Sequence, residues 1–129
     1  MASAPEVRIE SHDDVLRLLL NRPEKGNALT PEMMGALTAA FAGAAEHVGL
    51  RAIILQGTGR QFCTGADLIW MASPPTVEQG EALAELFRTI AVCPLPTLAL
   101  VQGGCYGGAM GLVAACDFVL APPDAEFGF

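Results

Sequence analysis

Residues 98–121 read LALVQGGCYGGAMGLVAACDFVLA. An apolar run comes first, then a glycine-rich turn, an apolar stretch of helical length, Asp117 and a second β-rich run. Gly103, Gly104, Gly107, Gly108 and Gly111 interrupt otherwise good core residues. Glycine inside a helix costs about 0.5–1 kcal/mol relative to alanine, so a cluster of them needs a reason. The pattern predicts a strand over PTLALVQG, a turn at Gly103 and Gly104, a helix over GGAMGLVAAC and a strand over DFVLA. That order is the unit of an α/β fold with parallel crossovers.

Upstream, IILQGTGRQFCTGADLIWM (residues 53–71) has the same plan: a buried strand, a glycine-containing turn and a helix start at DLIWM. Between the two units, TVEQGEALAELFRTIAVCP reads as a helix capped by Thr76 or opened near Glu78 and stopped before Pro94 and Pro96. The polar, Pro-rich SPPTVEQG at 73–80 reads as a mobile loop before it. LTPEMMGALTAAFAGAAEHV is a helix with Thr30 as cap, Pro31 at the first position and Glu32 at the positive end. Met33, Leu37, Ala40, Phe41 and Ala44 fall on its core face. EVRIESHDDVLRLLLNRP reads as two strands around a turn at Asp13 and Asp14, closed by Pro23.

A chain of 129 residues with 52% hydrophobic and 16% charged residues suits one domain with a substantial core. The net charge of −7, with its seven basic residues scattered singly, excludes a nucleic-acid binder, which needs clustered Lys and Arg. Cys63, Cys93, Cys105 and Cys116 form no C-x-x-C pair, and His12 and His47 complete no zinc spacing, so no metal site is expected. Buried thiols and an N-terminus without signal or transit features imply a cytoplasmic protein. Residues 105–121 carry Gly107 and Gly111 at G-x-x-x-G spacing, yet the run is too short for a membrane span and is broken by Asp117.

Open α/β sheets hold ligands at the carboxyl ends of their strands, so both glycine turns are expected to face one crevice. A nucleotide phosphate loop does not fit: Gly57 and Gly59 begin a G-x-G, Phe62 stands where the third glycine belongs, and no G-K-S or G-K-T occurs. Two readings remain. The glycines permit tight helix-on-strand packing, or they leave backbone N–H groups facing outwards, where two from neighbouring turns hold one carbonyl oxygen. With a thioester carbonyl, such a pair stabilises the enolate.

At these residues the chain resembles the enoyl-CoA hydratase/isomerase, or crotonase, superfamily. The resemblance runs in order through LNRPEKGNALT, RAIILQGTGRQFCTGADL, PLPTLALVQGGCYGGAMGLVAACDFVLA and DAEFGF. It implies a crotonase-like ββα spiral with mostly parallel strands, of which residues 1–129 are the N-terminal portion of a single domain, truncated before the C-terminal half. It also implies an acyl-CoA thioester partner, coenzyme A entering as part of the substrate, no tightly bound cofactor, and a homotrimer or dimer of trimers. Carried over residue by residue, Ala66 and Gly108 supply the oxyanion N–H groups. Lys25, Ala28, Asp67 and Leu68 line the coenzyme A channel, Lys25 offsetting phosphate charge.

One departure bears on mechanism. Hydratases of the family carry a glutamate three residues beyond the oxyanion glycine, where this chain has Gly111, and the second family acid falls after the FGF segment, beyond Phe129. Gly111 is therefore expected to leave room for substrate, while Trp70 and Tyr106 read either as walls of the acyl pocket or as ordinary core packing. GADLIWM and YGGAMGLVAACD resemble the subgroup that hydrates branched glutaconyl-type CoA esters in leucine or acyclic terpene breakdown. The leading expectation is an enoyl-CoA hydratase-like lyase. The alternatives are a double-bond isomerase or thioester hydrolase on the same scaffold, and a catalytically silent acyl-CoA-binding protein. Asp67 reads as a helix cap or a base, Glu126 as solvent-facing, and Asp117 as bonding local backbone.

Overall fold

The computed structural model of the protein describes residues 4–67 and 76–129. Strands β1 (Val7–His12) and β2 (Val15–Leu20) pair antiparallel around Asp13, whose φ of 55° closes the turn. A single 3-10 turn, Pro23–Lys25, leads to α1 (Pro31–Ala44). There Thr30 accepts a hydrogen bond from Met33 N at 3.2 Å, as the T-P-E start predicts. Met33, Met34, Leu37, Phe41 and Ala44 are buried along this helix, so the expected core face gains Met34 while Ala40 is only partly covered.

After α1 come β3 (Ala52–Gly57), α2 (Val77–Ala91), β4 (Thr97–Leu100), α3 (Ala109–Ala115) and β6 (Phe118–Leu120). The capping alternative for α2 resolves to Thr76: its hydroxyl accepts from Gln79 N at 3.1 Å, and Gln79 Oε1 accepts from Thr76 N at 2.8 Å. Helix α2 therefore takes in Val77–Gly80, half of the segment read as a loop, with Thr76 as its cap; residues 73–75, like 68–71 of the expected DLIWM helix start, lie outside the described residues. The main sheet runs β1-β2-β3-β4-β6 and is parallel from β2 onward. Ile53, Leu55 and Ala99 of its central strands are fully buried, as strands covered by crossover helices require.

Two strands were not legible in the sequence. β5 (Gly104–Tyr106) and β7 (Glu126–Gly128) form a second, parallel pair. Gly104 is therefore not part of the turn with Gly103: it opens β5, while Gly103, at φ 60°, makes the bend alone. Glycine at 104 makes room for the Tyr106 ring and Gln61 Oε1, each of which a β-carbon there would approach closer than van der Waals contact allows. Asp117 also reaches further than expected. Its carboxylate accepts from Thr97 N at 2.9 Å, joining the start of β6 to the start of β4 rather than bonding its own surroundings.

Candidate active site

The GAD turn at 65–67 is held by a short parallel bridge to Leu29. Leu29 N donates to Gly65 O at 2.7 Å, and Asp67 N donates to Leu29 O at 2.8 Å. In such a pairing the flanking residues bond the partner and the middle one faces away. Ala66 N–H is thus turned from Leu29 and has no acceptor among the described residues.

The second turn lies directly against the first. Gly107, at φ 57°, anchors it by donating to Gly128 O at 2.9 Å, and Gly108 is the N-terminal cap of α3 at φ −58°. Gly108 N–H lies outside the helix ladder and likewise has no acceptor among the described residues. A β-carbon at Gly65, φ 103°, would lie 3.0 Å from Tyr106 O and 3.6 Å from Gly108 N. Bare backbone is what lets the two turns meet.

Around this pair is a polar frame that the sequence reading missed. Arg22 donates through Nη1 to Ala28 O at 2.6 Å and to Asp67 Oδ2 at 3.0 Å, with Glu6 3.5 Å from its Nε. Asp67 is accordingly a buried anchor of the GAD turn, with its carboxylate on Arg22. Fully buried Asn27, at φ 57°, accepts from Arg22 N at 2.7 Å and donates to Thr58 O and Gln61 O at 2.8 and 2.9 Å. Gln102 Nε2 donates to Gly57 O at 2.8 Å. Their only sequence signal is polarity beside a glycine turn, which any solvent-facing loop shares.

The remaining expected site residues separate. Ala28 is buried beside this frame, and Lys25 is exposed at the end of the 3-10 turn. Leu68 and Trp70 lie outside the described residues. Gly111 does not face open space: a β-carbon there would lie 2.8 Å from Phe87 Cε1 and closer still to Cζ and Cε2. The vacancy expected at Gly111 is filled by a ring from α2.

Tyr106 is also directed elsewhere. Its hydroxyl donates to Glu126 Oε2 at 2.7 Å, which raises the phenol above its ordinary pKa and gives Glu126 a specific partner. The pair borders a polar depression of about 590 Å³ with Arg60, Gln61 and Asp124, which neither Ala66 nor Gly108 lines. An apolar groove of about 630 Å³ between α1 and α2, lined by Met34, Ala39 and Ala82, is equally separate from both turns. Burial pushes the Cys63 thiol up to about 12 and the Cys105 thiol up to about 11, which keeps both protonated and makes them poor nucleophiles at neutral pH. Among the described residues no group of His, Cys, Asp and Glu side chains could hold a metal ion, and no helix is long and apolar enough to cross a membrane.

A mixed α/β unit with helices packed on a mostly parallel sheet matches the fold of the crotonases. The chain belongs to the enoyl-CoA hydratase/isomerase family, whose sequence profile matches residues 10–129. It is 38% identical over 112 residues to an enoyl-CoA hydratase of Alternaria alternata, an alignment covering 87% of this chain and 38% of that one. It is 35% identical over 127 residues to the mitochondrial Delta(3,5)-Delta(2,4)-dienoyl-CoA isomerase of Mus musculus, covering 88% and 39%. Among solved structures, an enoyl-CoA hydratase of Mycobacterium smegmatis superposes with a TM-score of 0.88 at 35% identity, covering 96% of this chain and 50% of that one. The chain thus spans less than half the length of these curated relatives and half that of this structure.

Proposed function

We propose that the two apposed turns bind an acyl-CoA thioester, Ala66 N–H and Gly108 N–H holding its carbonyl oxygen, and that the protein hydrates an α,β-unsaturated CoA ester. The observation that carries this is the pair of backbone N–H groups without acceptors among the described residues, on glycine turns in direct contact. Both donors are fixed before substrate arrives, so charge building on the oxygen as water adds to the β-carbon meets dipoles already in place. Arg22 and Asp67 hold one turn, and the Gly107 hydrogen bond to Gly128 holds the other.

Coenzyme A lies, in this reading, along Lys25, Ala28 and Leu68, with exposed Lys25 toward the ADP phosphates. Proton transfer falls to an acid outside residues 1–129, as the resemblance implies, because position 111 is glycine. The substrate class follows the resemblance too: a branched glutaconyl-type ester, its branch directed away from Gly111, where Phe87 leaves no space. Residues 1–129 act as the N-terminal portion of one domain, in the cytoplasm, and within a trimer or dimer of trimers.

The mouse relative is a dienoyl-CoA isomerase, which favours double-bond migration as the second reading. Incubating the protein with 3-methylglutaconyl-CoA and with straight-chain enoyl- and dienoyl-CoA esters, and weighing the products, separates the two. A gain of water supports hydration, and an unchanged mass with a shifted double bond replaces it by isomerisation. Absence of CoA-ester binding by calorimetry refutes the site itself. Light scattering tests the trimer.

A further inference from the structure

We infer that Phe87 determines which acyl groups the site admits, its ring closing the space beside the Gly108 donor that a side chain at position 111 would otherwise occupy; this rests on the thioester reading above.

On α2, Leu83 and Phe87 are four residues apart and share a face. Leu83 Cδ2 would lie 3.7 Å from a β-carbon at Gly108, ordinary contact, so this face of α2 packs beside Gly108. One turn further, the Phe87 ring takes the volume of the missing side chain at Gly111. Gly111 N donates to Gly108 O at 3.1 Å, so both positions belong to the same turn of α3. A thioester oxygen on Gly108 N–H places the acyl α- and β-carbons within a few ångströms of that turn. What bounds them there is a partly buried phenyl ring packed against the core.

Two consequences follow for the ligand. The wall on the α3 side is apolar, so a carboxylate or hydroxyl directed at it loses its water without gaining a hydrogen bond. The wall is also closed, so substituents at the β-carbon that project toward α3 meet the ring. The glycine and the phenylalanine act as a pair: a larger residue at 111 is tolerated only when position 87 is reduced.

Calorimetry on the 129-residue chain with CoA, butyryl-CoA and 3-phenylpropionyl-CoA tests this, comparing wild type with Phe87→Ala and with the milder Phe87→Leu. Each methylene equivalent that enters vacated apolar space is worth about fourfold in affinity. Phe87→Ala is therefore expected to bind 3-phenylpropionyl-CoA about tenfold tighter relative to butyryl-CoA than wild type does, with CoA itself unchanged and Phe87→Leu in between. Gly111→Ala should lower the melting temperature of wild type and be relieved in the Phe87→Ala background. An unchanged phenylpropionyl-to-butyryl ratio in both Phe87 variants, in protein that binds CoA esters, overturns the inference alone. Wild type that binds no ester refutes the thioester site, and the inference with it.

Discussion

Replacing Gly108 by proline removes one proposed donor and almost nothing else. Proline locks φ near −65°, and Gly108 already sits at −58° as the cap of α3, where helices accept proline readily. The lost N–H has no acceptor among the described residues, so no internal hydrogen bond is lost with it. Gly107 before it, at φ 57°, has no β-carbon to clash with the proline ring, so of the two contacts that restrict a residue before proline only that with its N–H remains. The melting temperature should therefore stay at the wild-type value. Losing one donor of an oxyanion pair typically costs about 3–4 kcal/mol in the transition state, or 10²–10³ in turnover. In the bound ground state the same loss should erase most of the red shift that hydrogen bonding imposes on a conjugated dienoyl-CoA. The assay is the ultraviolet spectrum of bound dienoyl-CoA, with calorimetry on free CoA as control. Gly108→Ala is the matching control, since it keeps the N–H and its β-carbon meets Leu83 Cδ2 at an ordinary 3.7 Å. A proline variant that is folded, binds the ester and shifts the chromophore as wild type does would refute the assignment of Gly108.

Three further outcomes test the frame around the site. Asn27→Ala removes three hydrogen bonds from a fully buried position and should cost more than about 3 kcal/mol by denaturant unfolding, because Thr58 O, Gln61 O and Arg22 N lose the partner Asn27 supplies. Asp67→Asn should destabilise the chain by about 1–2 kcal/mol, since the Arg22 guanidinium, only 14% exposed, exchanges one of its two carboxylates for a neutral amide oxygen and keeps Glu6 at 3.5 Å; a loss that high salt reproduces in wild type would argue for a surface pair instead. Stability should also fall on the alkaline side. The Cys63 thiol, at 9.0 in the unfolded chain and about 12 in the folded one, holds its proton more tightly when folded, so its contribution is fully present below pH 9 and is lost as pH rises toward 12. Denaturant midpoints at pH 8 and pH 10.5 should show this decline, and Cys63→Ala should reduce it, the Cys105 and Cys116 thiols, each raised to about 11, supplying the remainder.

Much of the architecture was legible because local rules and tertiary structure agree. The T-P-E and T-V-E-Q starts of α1 and α2 carry their own caps, and the apolar spacing of Met33, Leu37, Phe41 and Ala44 presents one stripe to one core. β5 and β7 were not legible, because three-residue strands such as Gly104–Tyr106 have no alternation to read and exist only through a partner some twenty residues away. The site divides in the same way. That glycine turns follow two strands is written in the order of residues; that the turns touch at Gly65 and Gly107 is not.

Sequence by itself determined the alternation of elements, the family, and the two glycine turns that carry Ala66 and Gly108. It did so because caps, periodicity and glycine placement act over a few residues. Only the tertiary structure decided that Tyr106 turns to Glu126, that Asp67 serves Arg22, and that Gly111 is closed by Phe87. Those outcomes depend on which side chain from a distant segment reaches a space first. A missing side chain in the sequence is a pocket only if no neighbour fills it, and in a close-packed interior a neighbour usually does.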